Sequence, residues 1–185
     1  RPIGQTAASI KFHAGHGGGA GVYGVATGCS NYVGSFGDVW NPACNLWTNE
    51  QLKGTGMFGS FSEAGIRDCK DGTSQSFAIG ERAWTSYAAS WVGVDAWDGF
   101  DTHGLTMVLG TAFYKMNAAP NPYDLSCDGN GAAGFGSQHT GGALFLMVDG
   151  SVRFVGDQVE YKDPVTSSQR GVFQKLACRN DGGVM

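Results

Sequence analysis

Residues 143–155 constrain this chain more than any other stretch. Ala143 to Val148 form an unbroken apolar run of strand length, Asp149-Gly150 is a strong two-residue turn signal, and Val152 and Phe154 then alternate with Ser151 and Arg153. An unbroken run suits a strand buried on both faces, and alternation suits one buried on a single face. The pattern therefore predicts a β-hairpin at the centre of an antiparallel sheet. Gly141-Gly142 just before the run lets the backbone turn sharply or another segment come close, which leaves His139 at the mouth of the first strand.

The remaining sequence carries the punctuation of a β-rich protein. There are 31 glycines in 185 residues, more than twice the ordinary share of about 7%. They follow no period, which excludes collagen and favours many short strands joined by long glycine-rich loops. The length fits one domain over residues 1–185, and 42% hydrophobic with 15% charged residues is a globular balance low in charge. A net charge of −4 without any Lys/Arg cluster excludes nucleic acid as a partner and disfavours anionic membrane surfaces. No segment reaches the roughly 18 to 20 apolar residues of a membrane span, and Arg1-Pro2-Ile3 does not open a signal peptide, so any targeting segment is expected to have been removed.

Cysteines at 29, 44, 69, 127 and 178 show no Cys-x-x-Cys spacing, which argues against zinc-ribbon and c-type haem sites. Wide spacing in a glycine- and tryptophan-rich chain suits an oxidising compartment with one or two disulfides, their pairing open. Cys29 and Cys44 are placed to clip the excursion between them, where Cys29–Gly37 reads as a strand and Pro42 ends regular structure. Upstream, Ala8–Phe12 reads as a strand and His13 and His16 fall in a loop too rich in glycine for the helix that would put both on one face. Asn49–Lys53 reads as one helical turn. Asp71-Gly72 marks the apex of a turn, and Phe77 and Ile79 then alternate with small or polar residues as a second core strand. Leu105–Leu109 is a further apolar run, and 117–133 a long loop. At the end, Thr166-Ser-Ser-Gln169 has capping-box spacing and Val172, Phe173 and Leu176 recur at helical intervals. A short helix near 167–178 is expected, with Gly182-Gly183 placed to supply a left-handed cap. The fold class is α+β and β-rich.

Several of these stretches, taken in order, resemble one family. They are Asn31-Tyr-Val-Gly34, Asp71-Gly-Thr-Ser74, Ile79-Gly-Glu81, Ser137-x-His139 with Gly141-Gly142, and Asp149-Gly-Ser-Val-Arg-Phe154, with nine residues between His139 and Asp149. This set is similar to the large planctomycete family of prepilin-type proteins with a His-x9-Asp-Gly motif. The ending Leu176-Ala-Cys-Arg-Asn-Asp-Gly-Gly183 resembles that family's Leu-Ala-Thr-Arg-x-Gly-Gly-Glu tail, with Cys178 in place of threonine and Gly183 in place of glutamate. The resemblance implies a pilin-like or pseudopilin-like globular head outside the cell, attached to a membrane only through an N-terminal apolar helix that this sequence lacks. It implies identical subunits as partners and no reaction. His139, Gly141, Gly142, Asp149, Gly150, Asp71 and Gly72 then form a structural motif.

Ser137, His139 and Asp149 supply the residue types of a hydrolytic triad. Asp149, however, lies at the far end of a six-residue strand, roughly 20 Å away at about 3.3 Å per residue, so it is too distant to orient His139. Two loops offer oxygen ligands for calcium, Asp95, Asp98 and Asp101 in one and Asp124, Asp128 and Asn130 in the other, although turn-forming Asp and Asn explain both equally. The aromatic residues, among them Trp91 and Trp97, suit a packed core, subunit contacts or a sugar-stacking platform. The expected function is a non-enzymatic structural subunit of an extracellular filament or cell-surface assembly. The alternative is an extracellular carbohydrate- or solute-binding module.

Overall fold

A computed structural model describes residues 29–39, 53–59, 62–83, 89–90, 108–118, 134–164 and 168–182. Strands β1 (Cys29–Ser30) and β4 (Ala89–Ser90) pair as a small two-stranded ribbon. The main sheet has five strands: β2 (Tyr32–Gly37), β3 (Phe77–Glu81), β5 (Leu109–Thr111), β6 (Gly142–Met147) and β7 (Val152–Gly156). They lie in the order β5-β2-β3-β6-β7. Helix α1 spans Val172–Ala177, and short 3-10 turns occupy Ile66–Asp68 and Thr73–Gln75.

The two faces of the sheet differ. On one, Val33, Phe77, Ala143, Phe145 and Met147 are buried beneath Phe173 and Ala177 of α1, Met116 and Phe135. Phe77 and Phe145 stack with centroids 4.1 Å apart, and Phe135 meets Phe145 edge-on at 5.3 Å. Such geometry adds to the burial energy of each ring. A bulge between Phe77 and Ile79 keeps this face continuous. It returns Gly80 to the core side, where an added Cβ would sit 2.4 Å from a Phe135 ring carbon. Ile79 and Glu81 are thereby sent to the other face.

Fully buried Arg82 ties the layers together, its Nε donating to the Gly134 carbonyl at 3.0 Å and Nη2 to the Leu109 carbonyl at 2.7 Å. Carbonyl partners are what makes a buried guanidinium tolerable. At the C-terminal end Arg179 donates through Nη1 to the Gly54 and Gly56 carbonyls, its amide donates to the Thr55 carbonyl, and its own carbonyl accepts from the Lys70 amide at 2.7 Å.

Four expectations change. The sheet is mixed rather than antiparallel, because β2 and β5 run parallel from Gly34↔Leu109 to Gly37↔Thr111. Strands β6 and β7 pair antiparallel from Gly142↔Gly156 to Leu146↔Val152, yet they stand at one side of the sheet rather than its centre, with β7 as the edge. Val152 and Phe154 are consequently 64% and 53% exposed. The alternation in β7 thus marks an edge strand, not one half-buried in the middle. The helix is also shorter than 167–178. It starts only at Val172, because the Gly171 amide is capped by Gln174 Oε1 at 2.9 Å, while Gln174 Nε2 donates to the Lys162 carbonyl. Its C-terminal cap is Cys178 in extended conformation, so Gly182 takes its left-handed φ of +77° four residues farther on, outside the cap.

Candidate functional site

Away from α1, the second face of the sheet carries an apolar row. Strand register sets Val152, Leu146, Ile79, Gly34 and Leu109 side by side across all five strands. Phe58 lies over Gly34, where an added Cβ would come 2.9 Å from its ring. A parallel row holds Phe154, Leu144, Glu81 and Tyr32, and Tyr32 is 51% exposed. All of these residues except Phe154 and Glu81 line a shallow cleft of about 800 Å³. Aromatic and aliphatic side chains left exposed on one contiguous face are what interaction surfaces are made of.

Polar groups close the rim near the start of β6. Leu144 faces Phe154 across a non-bonded pair, so its amide points toward β3, where the bulge has displaced the ladder. Glu81 fills the gap: its Oε2 accepts the Leu144 amide at 2.9 Å. The other oxygen, Oε1, lies 3.4 Å from His139 Nε2, with side chains 11% and 61% exposed for Glu81 and His139. His139 itself is set by local turns. Its amide donates to Ser137 Oγ at 3.1 Å, and the Ser137 amide donates to Oδ1 of Asn117, which holds a left-handed φ of +57°. The Ser137 hydroxyl oxygen is thus an acceptor in a turn, and the carboxylate beside His139 is Glu81 rather than Asp149.

The turn joining β6 to β7 is a second polar unit. Asp149 Oδ1 accepts from the Ser151 amide at 2.8 Å and hydroxyl at 2.6 Å, and these two bonds hold its carboxyl below the ordinary range. The Asp149 and Val148 amides donate to the Thr73 and Ser76 carbonyls, both at 3.0 Å, which docks the turn on the segment after Asp71-Gly72. Gly150 adopts φ +87° and Gly72 φ +101°, both disfavoured for side-chain-bearing residues. Asp71 Oδ2 accepts the Asp181 amide at 2.6 Å. Each acidic member of the expected motif therefore serves as an acceptor within the fold, and Gly141, at φ +82°, starts the turn into β6.

A third cluster, which the sequence pattern gives no sign of, links β2 to the helix end. Arg170 donates to both oxygens of Asp38, through Nε to Oδ2 and through Nη2 to Oδ1 at 3.2 Å. Thr55 Oγ1 and Cys178 Sγ also donate to Asp38 Oδ1, at 2.8 and 3.1 Å. Burial pulls the Asp38 carboxyl upward, but the bonds from Arg170, Cys178 and Thr55 outweigh it and the net shift is down. Burial, with Asp38 beside it, pushes the Cys178 thiol up to about 12. A thiol held neutral in this way is a hydrogen-bond donor and not a nucleophile.

Cys69 and Cys178 are buried and free. The candidate calcium ligands Asp95, Asp98, Asp101, Asp124, Asp128 and Asn130, the partner cysteine Cys44, the histidines His13 and His16, and Trp91 and Trp97 lie outside the described residues. Among the described residues no group of three or more His, Cys, Asp and Glu is arranged to hold a metal, and no helix is long and apolar enough to cross a membrane.

A β-rich fold with a small helical cap on one face of a mixed sheet and apolar side chains on the other defines the class. The family described as "Protein of unknown function (DUF1559)" matches residues 13–162, and the chain belongs to it. No curated protein and no solved structure gives a significant match.

Proposed function

We propose that this chain is a non-enzymatic structural subunit of an extracellular filament or cell-surface assembly, a pilin-like head that associates with identical copies. The observation that carries the reading is the apolar row across the sheet face away from α1, from Leu109 to Val152, with Tyr32, Phe58 and Phe154 beside it. Large apolar side chains cost free energy while in water, and covering them with a second protein surface recovers roughly 25 cal/mol per Å². The chemistry along the rim supports the same reading. Among the described residues, Ser137, His139, Asp149 and Cys178 are each committed to contacts that shape the fold rather than set as a nucleophile beside its base. A carbohydrate- or solute-binding module is the second reading, favoured by the size of the cleft and by Tyr32 and Phe58 in its lining.

Sedimentation velocity across a concentration series separates the two. Self-association should appear in the parent chain and weaken in Tyr32→Ser and Phe58→Ser, whose partly exposed positions make unfolding a small risk. A parent that stays monomeric throughout, and binds a glycan or solute saturably, would favour the second reading.

A further inference from the structure

We propose that the free edge of β7 pairs with β7 of a second copy, antiparallel about a two-fold axis at Phe154, so that two sheets become one. This rests on the reading that the chain works by associating with itself. Register against β6 fixes which backbone groups are available. The Met147 amide donates to the Ser151 carbonyl and the Asp157 amide to the Gly141 carbonyl, so the bonded pairs fall at Ser151, Arg153, Val155 and Asp157. The amides and carbonyls of Val152, Phe154 and Gly156 therefore point outward. Among the described residues these outward groups make one backbone bond, from the Val159 amide to the Gly156 carbonyl at 3.0 Å. An unpaired edge bearing exposed Val152 and Phe154 is a template for strand addition.

The residues on the edge select a second copy and one register. Placing Arg153 opposite its own symmetry mate sets two cations together, which is destabilising. The neighbouring register puts Phe154 opposite Phe154, with each amide donating to the other's carbonyl. The Val152 carbonyl then accepts from the Gly156 amide, while the Gly156 carbonyl keeps its bond from the Val159 amide, and the lack of a side chain at Gly156 leaves room for the valine. Arg153 comes opposite Val155, with Asp157 and Arg153 of the second copy at its two diagonal positions, so the two cations are no longer directly opposite and each has an anion within reach. The two apolar faces fall on the same side of the joined sheet, which extends the row across both copies. The opposite edge, β5, is only Leu109–Thr111 and is buried throughout, so strand pairing closes at two copies rather than running on as a fibre.

Cysteine cross-linking of the full chain tests the register. In Phe154→Cys the paired Cα atoms lie about 5.5 Å apart, within disulfide reach. In Val152→Cys the two introduced residues are offset by about 14 Å, beyond it. Non-reducing electrophoresis after mild oxidation, with the parent as blank for native thiols, should show about tenfold more covalent dimer for Phe154→Cys. Phe154→Pro removes an amide that its own sheet does not use, so it should reduce association while keeping the far-UV spectrum. Equal or absent cross-linking in a parent that still associates overturns the edge pairing and leaves the assembly reading standing. No cross-link in a parent that is monomeric at every concentration overturns both.

Discussion

Replacing Glu81 by alanine tests whether the residues around His139 are structural. The Glu81 carboxylate is only 11% exposed and takes the place of a ladder carbonyl by accepting the Leu144 amide at 2.9 Å. Its removal leaves that amide without a partner, which costs about 1–3 kcal/mol for a bond to a charged acceptor. The contact with His139 adds less than about 1 kcal/mol, because the imidazole is 61% exposed and 3.4 Å away. Glu81→Ala should therefore cost about 2–3 kcal/mol, Glu81→Gln about 1 kcal/mol because an acceptor oxygen remains, and His139→Ala less than about 1 kcal/mol. For a chain of this size that places the alanine variant about 4–12 °C lower in melting temperature. Urea unfolding followed by circular dichroism reads the order directly, as a shift in midpoint with little change in slope. A loss below about 0.5 kcal/mol for Glu81→Ala, or His139→Ala as costly as Glu81→Ala, would refute the assignment of Glu81 as the missing rung.

The Asp38 cluster predicts pH dependence at both extremes. Because the Asp38 carboxyl is held low in the fold, its contribution is present above about pH 4 and disappears as pH falls through the folded value; Asp38→Asn should flatten that acid limb of the urea midpoints. Because the Cys178 thiol is pushed up to about 12, its contribution is complete below about pH 8.5 and declines as pH rises toward that value, by at most about 1.4 kcal/mol per pH unit; Cys178→Ser should remove the decline. In the core, Gly80→Ala would bring a methyl to within 2.4 Å of Phe135 and 2.7 Å of Phe145, so calorimetry should show a loss of about 1–3 kcal/mol from overpacking.

Local patterns made the strands legible and left their neighbours hidden. The apolar run of β6, the strand-forming residues of β3 and the Asp149-Gly150 dipeptide each rest on residues adjacent in sequence, where side-chain period and turn chemistry act directly. The bulge after Phe77 nonetheless puts Ile79 on the opposite face from the one its alternation with Phe77 predicts. The order of strands depends on long-range closure instead. Nothing local says that Gly34 runs parallel to Leu109, and alternation in β7 is the same whether the strand sits inside the sheet or at its edge. The mouth of β6 shows the same divide. His139 stands out in the sequence by its place before Gly141-Gly142, whereas Glu81 is brought beside it only because the bulge after Phe77 turns it to that face. Asp38 and Arg170, 132 residues apart, carry no spacing signal at all, and neither does the burial of Arg82. The helix start was obscured because Thr166-Ser-Ser-Gln169 offers a stronger capping pattern than Gly171 with Gln174, which makes the cap.

Electron microscopy of the protein in its native surface material is the most direct test of the assembly reading. The account predicts repeated copies in a fibre, tube or layer, whatever chemistry accompanies them. Dispersed single molecules in that material, together with saturable binding of a glycan or solute by the monomer, would contradict it.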